Sequence, residues 1–228
     1  MSVVASQGAS SKGQIALSPR FDPRILKSDH PFRLGIFGGT FDPVHIGHLH
    51  IAQRALEQFA LDGVLFIPTG RPAWKINTVS PVEDRYAMLK AAVEGNEHFD
   101  VSRLEIDREG ITYTIDTLRT LKERYQDKAE LFFIVGADTA AEIATWKDAD
   151  EIRTLVTFLC ARRTNSKDTV HDMLHNDRGF EIRFIESSLI DISSRELREW
   201  IRVGRSIHYL VPEVIYSFIS ERGLYKGT

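Results

Sequence analysis

The 228-residue sequence holds a single cysteine, Cys160. One thiol builds neither a disulfide framework nor a cysteine zinc site, which favours a reducing compartment, read as the cytoplasm. Cys160 ends the apolar run Leu155-Val156-Thr157-Phe158-Leu159-Cys160, where a small buried side chain is expected. No apolar stretch approaches the ~20 residues that cross a bilayer, and the first residues lack the apolar core of a secretory signal. An excess of one charge is lacking too. The net charge is -3, so the chain as a whole makes no electrostatic case for nucleic acid or a membrane as partner. Hydrophobic residues make up 43% and charged residues 27%, enough for a core and most simply for one domain.

Residues 1–32 differ from the rest. Ser, Gly and Gln crowd the start, and Pro19, Pro23 and Pro31 follow, so the segment reads as a flexible extension outside the fold. From residue 33 onward apolar runs alternate with amphipathic ones. Strands are expected at 34–37, 63–67, 99–104, 131–135, 155–161 and 181–185. Helices are expected at 47–61, 81–94, 114–125, 193–203 and 212–222, with a short one near 139–144. This alternation implies an α/β domain over 33–228: a Rossmann-like, doubly wound parallel sheet with helices on both faces. A small C-terminal helical part would occupy about 187–228. In such sheets a ligand sits beyond the carboxyl ends of the strands. The polar stretch 164–179 reads as a surface excursion.

The most informative stretch is Gly38-Gly39-Thr40-Phe41-Asp42-Pro43-Val44-His45-Ile46-Gly47-His48. It joins the first strand to the first helix. Glycines let backbone approach a bound group, and a helix start offers N–H donors and a positive dipole end. Two histidines three apart share one helix face. The set suits a polyphosphate. A metal site built from His45, His48 and His50 is the weaker reading, since no carboxylate stands at metalloprotease spacing and His50 points elsewhere on the helix.

The run Gly39 to His48 resembles the signature of the nucleotidylyltransferase superfamily. A second element of that superfamily is similar to Ile192-Ser193-Ser194-Arg195-Glu196-Leu197-Arg198, which departs at Arg195, where Thr is usual, and at Leu197, where Ile is usual. Three further segments resemble elements of the nicotinate-nucleotide adenylyltransferases. They are Thr112-Tyr113-Thr114-Ile115-Asp116-Thr117, the run Ile134-Val135-Gly136-Ala137-Asp138 followed by Trp146, and Cys160-Ala161-Arg162-Arg163. Phosphopantetheine adenylyltransferase shares the first element but lacks the tyrosine and tryptophan ones.

The resemblance implies transfer of the adenylyl group of ATP to nicotinate mononucleotide, with Mg²⁺ arriving on ATP. It implies no partner among nucleic acids or membranes, and either a monomer or a homo-oligomer. His45, His48 and Arg198 would be catalytic. Gly39, Thr40, Phe41, Gly136, Asp138 and Ser193 would join them in holding ATP. Asp42, Lys75, Thr112, Tyr113 and Trp146 would hold the mononucleotide, with Arg71 competing with Lys75 for phosphate and Asp42 equally suited to a structural role. No metal is expected on the protein's own side chains. Arg85 reads as a salt-bridge residue, His50 as solvent-facing or packed, and Arg195 and Arg202 as solvent-facing. The alternatives are another transferase on the same fold and a non-catalytic nucleotide-binding module.

Overall fold

The computed structural model describes residues 20–23, 30–71, 80–161, 179–188 and 190–226. Lys75, Arg162, Arg163 and nearly all of 164–179 lie outside these. Six parallel strands form one sheet: β1 (Phe32–Gly39), β2 (Gly63–Pro68), β3 (Phe99–Val101), β4 (Ala129–Gly136), β5 (Thr157–Ala161) and β6 (Ile182–Ile185). Their order is β3-β2-β1-β4-β5-β6. Between them run α1 (Ile46–Gln58), α2 (Val82–Val93), α3 (Thr114–Tyr125), the single-turn α4 (Ala137–Ala140) and α5 (Ala149–Leu155). The C-terminal part supplies α6 (Ser194–Arg202) and α7 (Glu213–Arg222).

The central strands are apolar without interruption because both faces are covered. All six residues of β2 are buried. Alternate side chains feed two cores. Val64, Phe66, Phe132, Ile134 and Leu159 pack with α1, α2 and the C-terminal helices. Leu65, Ile67, Leu131, Phe133, Phe158 and Cys160 pack with α3, α4 and α5 on the other face. Strand order reverses between β1 and β4. The connections leaving those two strands therefore run to opposite faces of the sheet, α1 on one and α4 on the other, and leave a crevice between them, the place where open α/β sheets bind ligands.

Three local expectations differ from the structure. The third strand stops at Val101, because the Ser102 hydroxyl takes the Leu104 N–H (3.1 Å) that a longer ladder would have used. The fifth strand begins at Thr157, and Ala149–Leu155 is a helix with only Ile152 buried. One buried residue in seven leaves no helical period to read. Residues 20–23, assigned by composition to the extension, lie against the fold. Phe21 is 4% exposed within the second core, its carbonyl accepts from Tyr125 Oη (2.6 Å), and Arg20 donates to the Asn96 and Phe99 carbonyls.

Candidate active site

A cleft of about 530 Å³ opens at the crevice between β1 and β4. Phe37, Gly38, Gly39 and Thr40 form its floor on the β1 side, and Phe133, Val135 and Gly136 on the β4 side. At Gly136 an added Cβ would meet nothing within 4 Å, because the space there is cleft. At Gly39 a Cβ would stand 3.1 Å from the Phe41 ring. Phe41 itself has φ 50°, a left-handed conformation that costs a bulky residue energy and recurs at ligand-holding turns. Its ring is buried edge-on against Phe37, His48 and Phe66, which holds the turn in place.

His45 is the N-cap residue of α1, and the His45 and His48 rings stack at 3.7 Å between centroids. Both line the cleft. The His45 backbone N–H donates to His48 Nδ1 at 3.3 Å. In a neutral ring that bond places the proton on Nε2, so His48 presents a donor. Gly47 makes the stack possible, since a Cβ there would come within 3.0 Å of His45 Nδ1.

The turn is clamped from behind. Ser194 Oγ donates to the Pro43 carbonyl (2.8 Å), and Arg198 Nη1 to the Asp42 carbonyl (2.6 Å). The Asp42 carboxylate is buried and accepts from Tyr225 Oη at 2.7 Å. Burial, followed by the Asp42 charge, raises the Tyr225 phenol well above its ordinary range and keeps it a donor. Arg85, 2% exposed, donates to the Thr40 (2.7 Å) and Thr69 (2.8 Å) carbonyls, joining the ends of β1 and β2. Burial lowers its affinity for a proton, while Asp42 and Tyr225 oppose that shift. Arg85 is thus a buried brace for the turn, where the sequence suggested a salt bridge.

At the far end of the cleft stand Thr112, Tyr113 and Thr114, at the N-terminus of the twelve-residue α3. Thr112 pairs with the loop after β2: its N–H donates to the Arg71 carbonyl at 2.8 Å, and its hydroxyl accepts from the Arg71 N–H at 3.4 Å. Trp146 lines the same end, set edge-on against Phe133 (6.0 Å) and Phe158 (6.3 Å). Glu105 lies beneath, accepting from Thr117 Oγ1 at 2.8 Å. Burial pushes its carboxyl up to about 7, against opposing pulls from Thr117, Arg108 and the Gly70 N–H.

The cytidylyltransferase-like family profile matches residues 36–220. A protein named as a probable nicotinate-nucleotide adenylyltransferase of Corynebacterium kroppenstedtii is 46% identical over 85% of this chain and 90% of its own. One of the same name from Acidothermus cellulolyticus is 44% identical over 86% of this chain and 95% of its own. The chain belongs to the nicotinate-nucleotide adenylyltransferases, within the cytidylyltransferase-like family. The fold agrees with that of the solved Plasmodium falciparum nicotinic acid mononucleotide adenylyltransferase complexed with NaAD. The TM-score is 0.73, with 19% identity, over 86% of this chain and 98% of that one.

In this adenylyltransferase the cleft brings together Gly39, Thr40, His45, His48, Thr112, Tyr113, Gly136, Trp146 and Ser193. The Ser193 hydroxyl also caps α6, accepting from the Glu196 N–H at 3.2 Å. Phe41 and Asp42 are buried behind the wall, where they shape the turn, Arg198 is half-buried beside that turn and outside the lining, and Asp138 is exposed on α4 outside the lining. Lys75 lies outside the described residues. Arg195 and Arg202 are exposed. His50, expected to point elsewhere, does line the cleft, where Ile51, Ser187, Ile190 and Ile192 extend the wall. Glu105, Glu142, Lys147 and Ser187 also line it. None of these four was singled out in the sequence: Lys147 directly follows Trp146 in the chain, whereas Glu105 reaches the cleft only through the fold.

Proposed function

We infer that this enzyme joins ATP to nicotinate mononucleotide, giving deamido-NAD and pyrophosphate. A mononucleotide phosphate oxygen attacks the α-phosphorus of ATP in line. The bond from that phosphorus to the oxygen bridging to the β-phosphate breaks, and pyrophosphate leaves with the electron pair. The attacking oxygen is already ionised, so catalysis reduces to positioning and to stabilising charge. The stacked His45–His48 pair at the α1 N-terminus is the observation that carries this reading. It aims a defined Nε2–H donor and a helix dipole at one end of a cleft whose other end is aromatic.

We place the triphosphate against Gly39, Thr40, His45, His48 and Ser193, with Gly136 leaving room for the nucleoside. Arg198 holds the turn through Asp42 and, through its remaining guanidinium donors, offers a fork to phosphate oxygens. Asp138 is available to a ribose hydroxyl at the end of β4. The pyridine ring stacks on Trp146, and its carboxylate meets the N–H groups at the α3 start and the Thr112 hydroxyl. Asp42 serves the mononucleotide by fixing the turn. Lys75 or Arg71 takes the mononucleotide phosphate.

Mg²⁺ enters as part of the substrate, MgATP. Mg²⁺ favours phosphates and water over a cage of protein ligands. When bound it neutralises charge on the phosphates.

The test is pyrophosphate release with ATP and a panel comprising nicotinate mononucleotide, nicotinamide mononucleotide and phosphopantetheine. The expected result is highest kcat/KM with the nicotinate form. A preference for another acceptor, or no release with any, would overturn the assignment.

A further inference from the structure

We propose that Lys147 determines specificity, selecting the acid over the amide form of the mononucleotide by its charge; this rests on the function proposed above. Lys147 follows Trp146 directly in the chain and lines the cleft. Its Nζ sits 4.3 Å from the centre of the Tyr113 ring. Tyr113 is the N-cap residue of α3. The ammonium therefore lies beside the helix start where the pyridine carboxylate is placed, next to the indole that receives the ring.

Its charge is only loosely met within the protein. The Asp116 carboxylate is 3.8 Å away and also faces Arg119 at 3.4 Å. The carboxylates that line the cleft are Glu105 and Glu142. Glu105 is buried and engaged by the Thr117 hydroxyl. A carboxylate needs donors only, and this end supplies a helix start, a hydroxyl and a cation. A carboxamide also needs an acceptor, and its neutral NH₂ gains nothing from the ammonium. Donors shared by both forms bind both, so discrimination falls to the group whose interaction depends on net charge.

The experiment measures kcat/KM for nicotinate and nicotinamide mononucleotides with the wild-type protein, Lys147→Met and Lys147→Arg, at low and high salt. Lys147→Met should lower the nicotinate value roughly tenfold and leave the nicotinamide value within about twofold, the size expected of one charge-assisted contact at a half-exposed site. Lys147→Arg should keep the wild-type ratio. Added salt should shrink the ratio in the wild type and leave it flat in Lys147→Met. Equal losses on both substrates would assign Lys147 to the phosphate or to packing, and no loss would remove it from the site; either result overturns the proposal. A wild-type protein that prefers the amide form overturns the proposed function and this inference together, whereas an unchanged ratio in Lys147→Met overturns this inference alone.

Discussion

At the scale of the residue, the proposed reaction has His45 and His48 stabilise charge that develops in the transition state. Replacing either with Ala is expected to cut turnover by about 10²–10³, the loss typical of one such donor, with the circular dichroism and melting temperature near wild type. Wild-type turnover in either variant would remove that ring from the mechanism. Glu105 carries a different prediction. Its carboxyl is pushed from the ordinary 4.5 up to about 7, so the folded state binds this proton more tightly than the unfolded chain does. The stability this contributes is complete below about pH 4.5 and is lost as pH rises to about 7. Glu105→Gln removes that dependence. Relative to wild type the variant should gain up to about 3 kcal/mol between pH 4.5 and 8, read by urea unfolding; a constant difference across that range would contradict the burial argument. The histidines were legible in the sequence because their motif is local and dense. Arg85 was not, since its role depends on being 2% exposed under two strand ends, which no neighbour in the chain announces.

At the scale of the element, the turn after β1 is held by three others: α2 through Arg85, α6 through Ser194 and Arg198, and the segment after α7 through Tyr225. The first and second motifs of the sequence thus meet as one object, with the C-terminal helices fastening the turn after β1. Tyr225→Phe removes a hydroxyl that donates to a buried carboxylate, at a cost of roughly 1.5–3 kcal/mol. It should lower the melting temperature and kcat together while the ATP KM moves little. A variant as stable and as active as wild type would show that this latch does not govern the turn. Central strands such as β2 were plain in the sequence, because burial on both faces writes a continuous apolar run. α5 was not, because a seven-residue helix with one buried side chain carries too little pattern, and its last residue, Leu155, adjoins a strand.

At the scale of the whole molecule, the strand order dictates the rest. Reversal between β1 and β4 opens one crevice, and helix starts on either side, α1 and α3, offer donors at its two ends. Residues 20–23 belong to this body, as composition could not reveal: four residues in a Ser- and Pro-rich stretch join the core through a single ring. Phe21→Ala should destabilise the protein by about 3–5 kcal/mol in urea titration, and a loss below the error of the measurement would return the segment to the surface.

In the proposed reaction the two nucleotides lie end to end across this crevice. A crystal structure with nicotinate mononucleotide and a non-hydrolysable ATP analogue tests it most directly. Phosphate oxygens are expected within hydrogen-bond distance of His45 and His48, and the pyridine ring against Trp146. Either ligand bound away from the ends of β1 and β4 would contradict it.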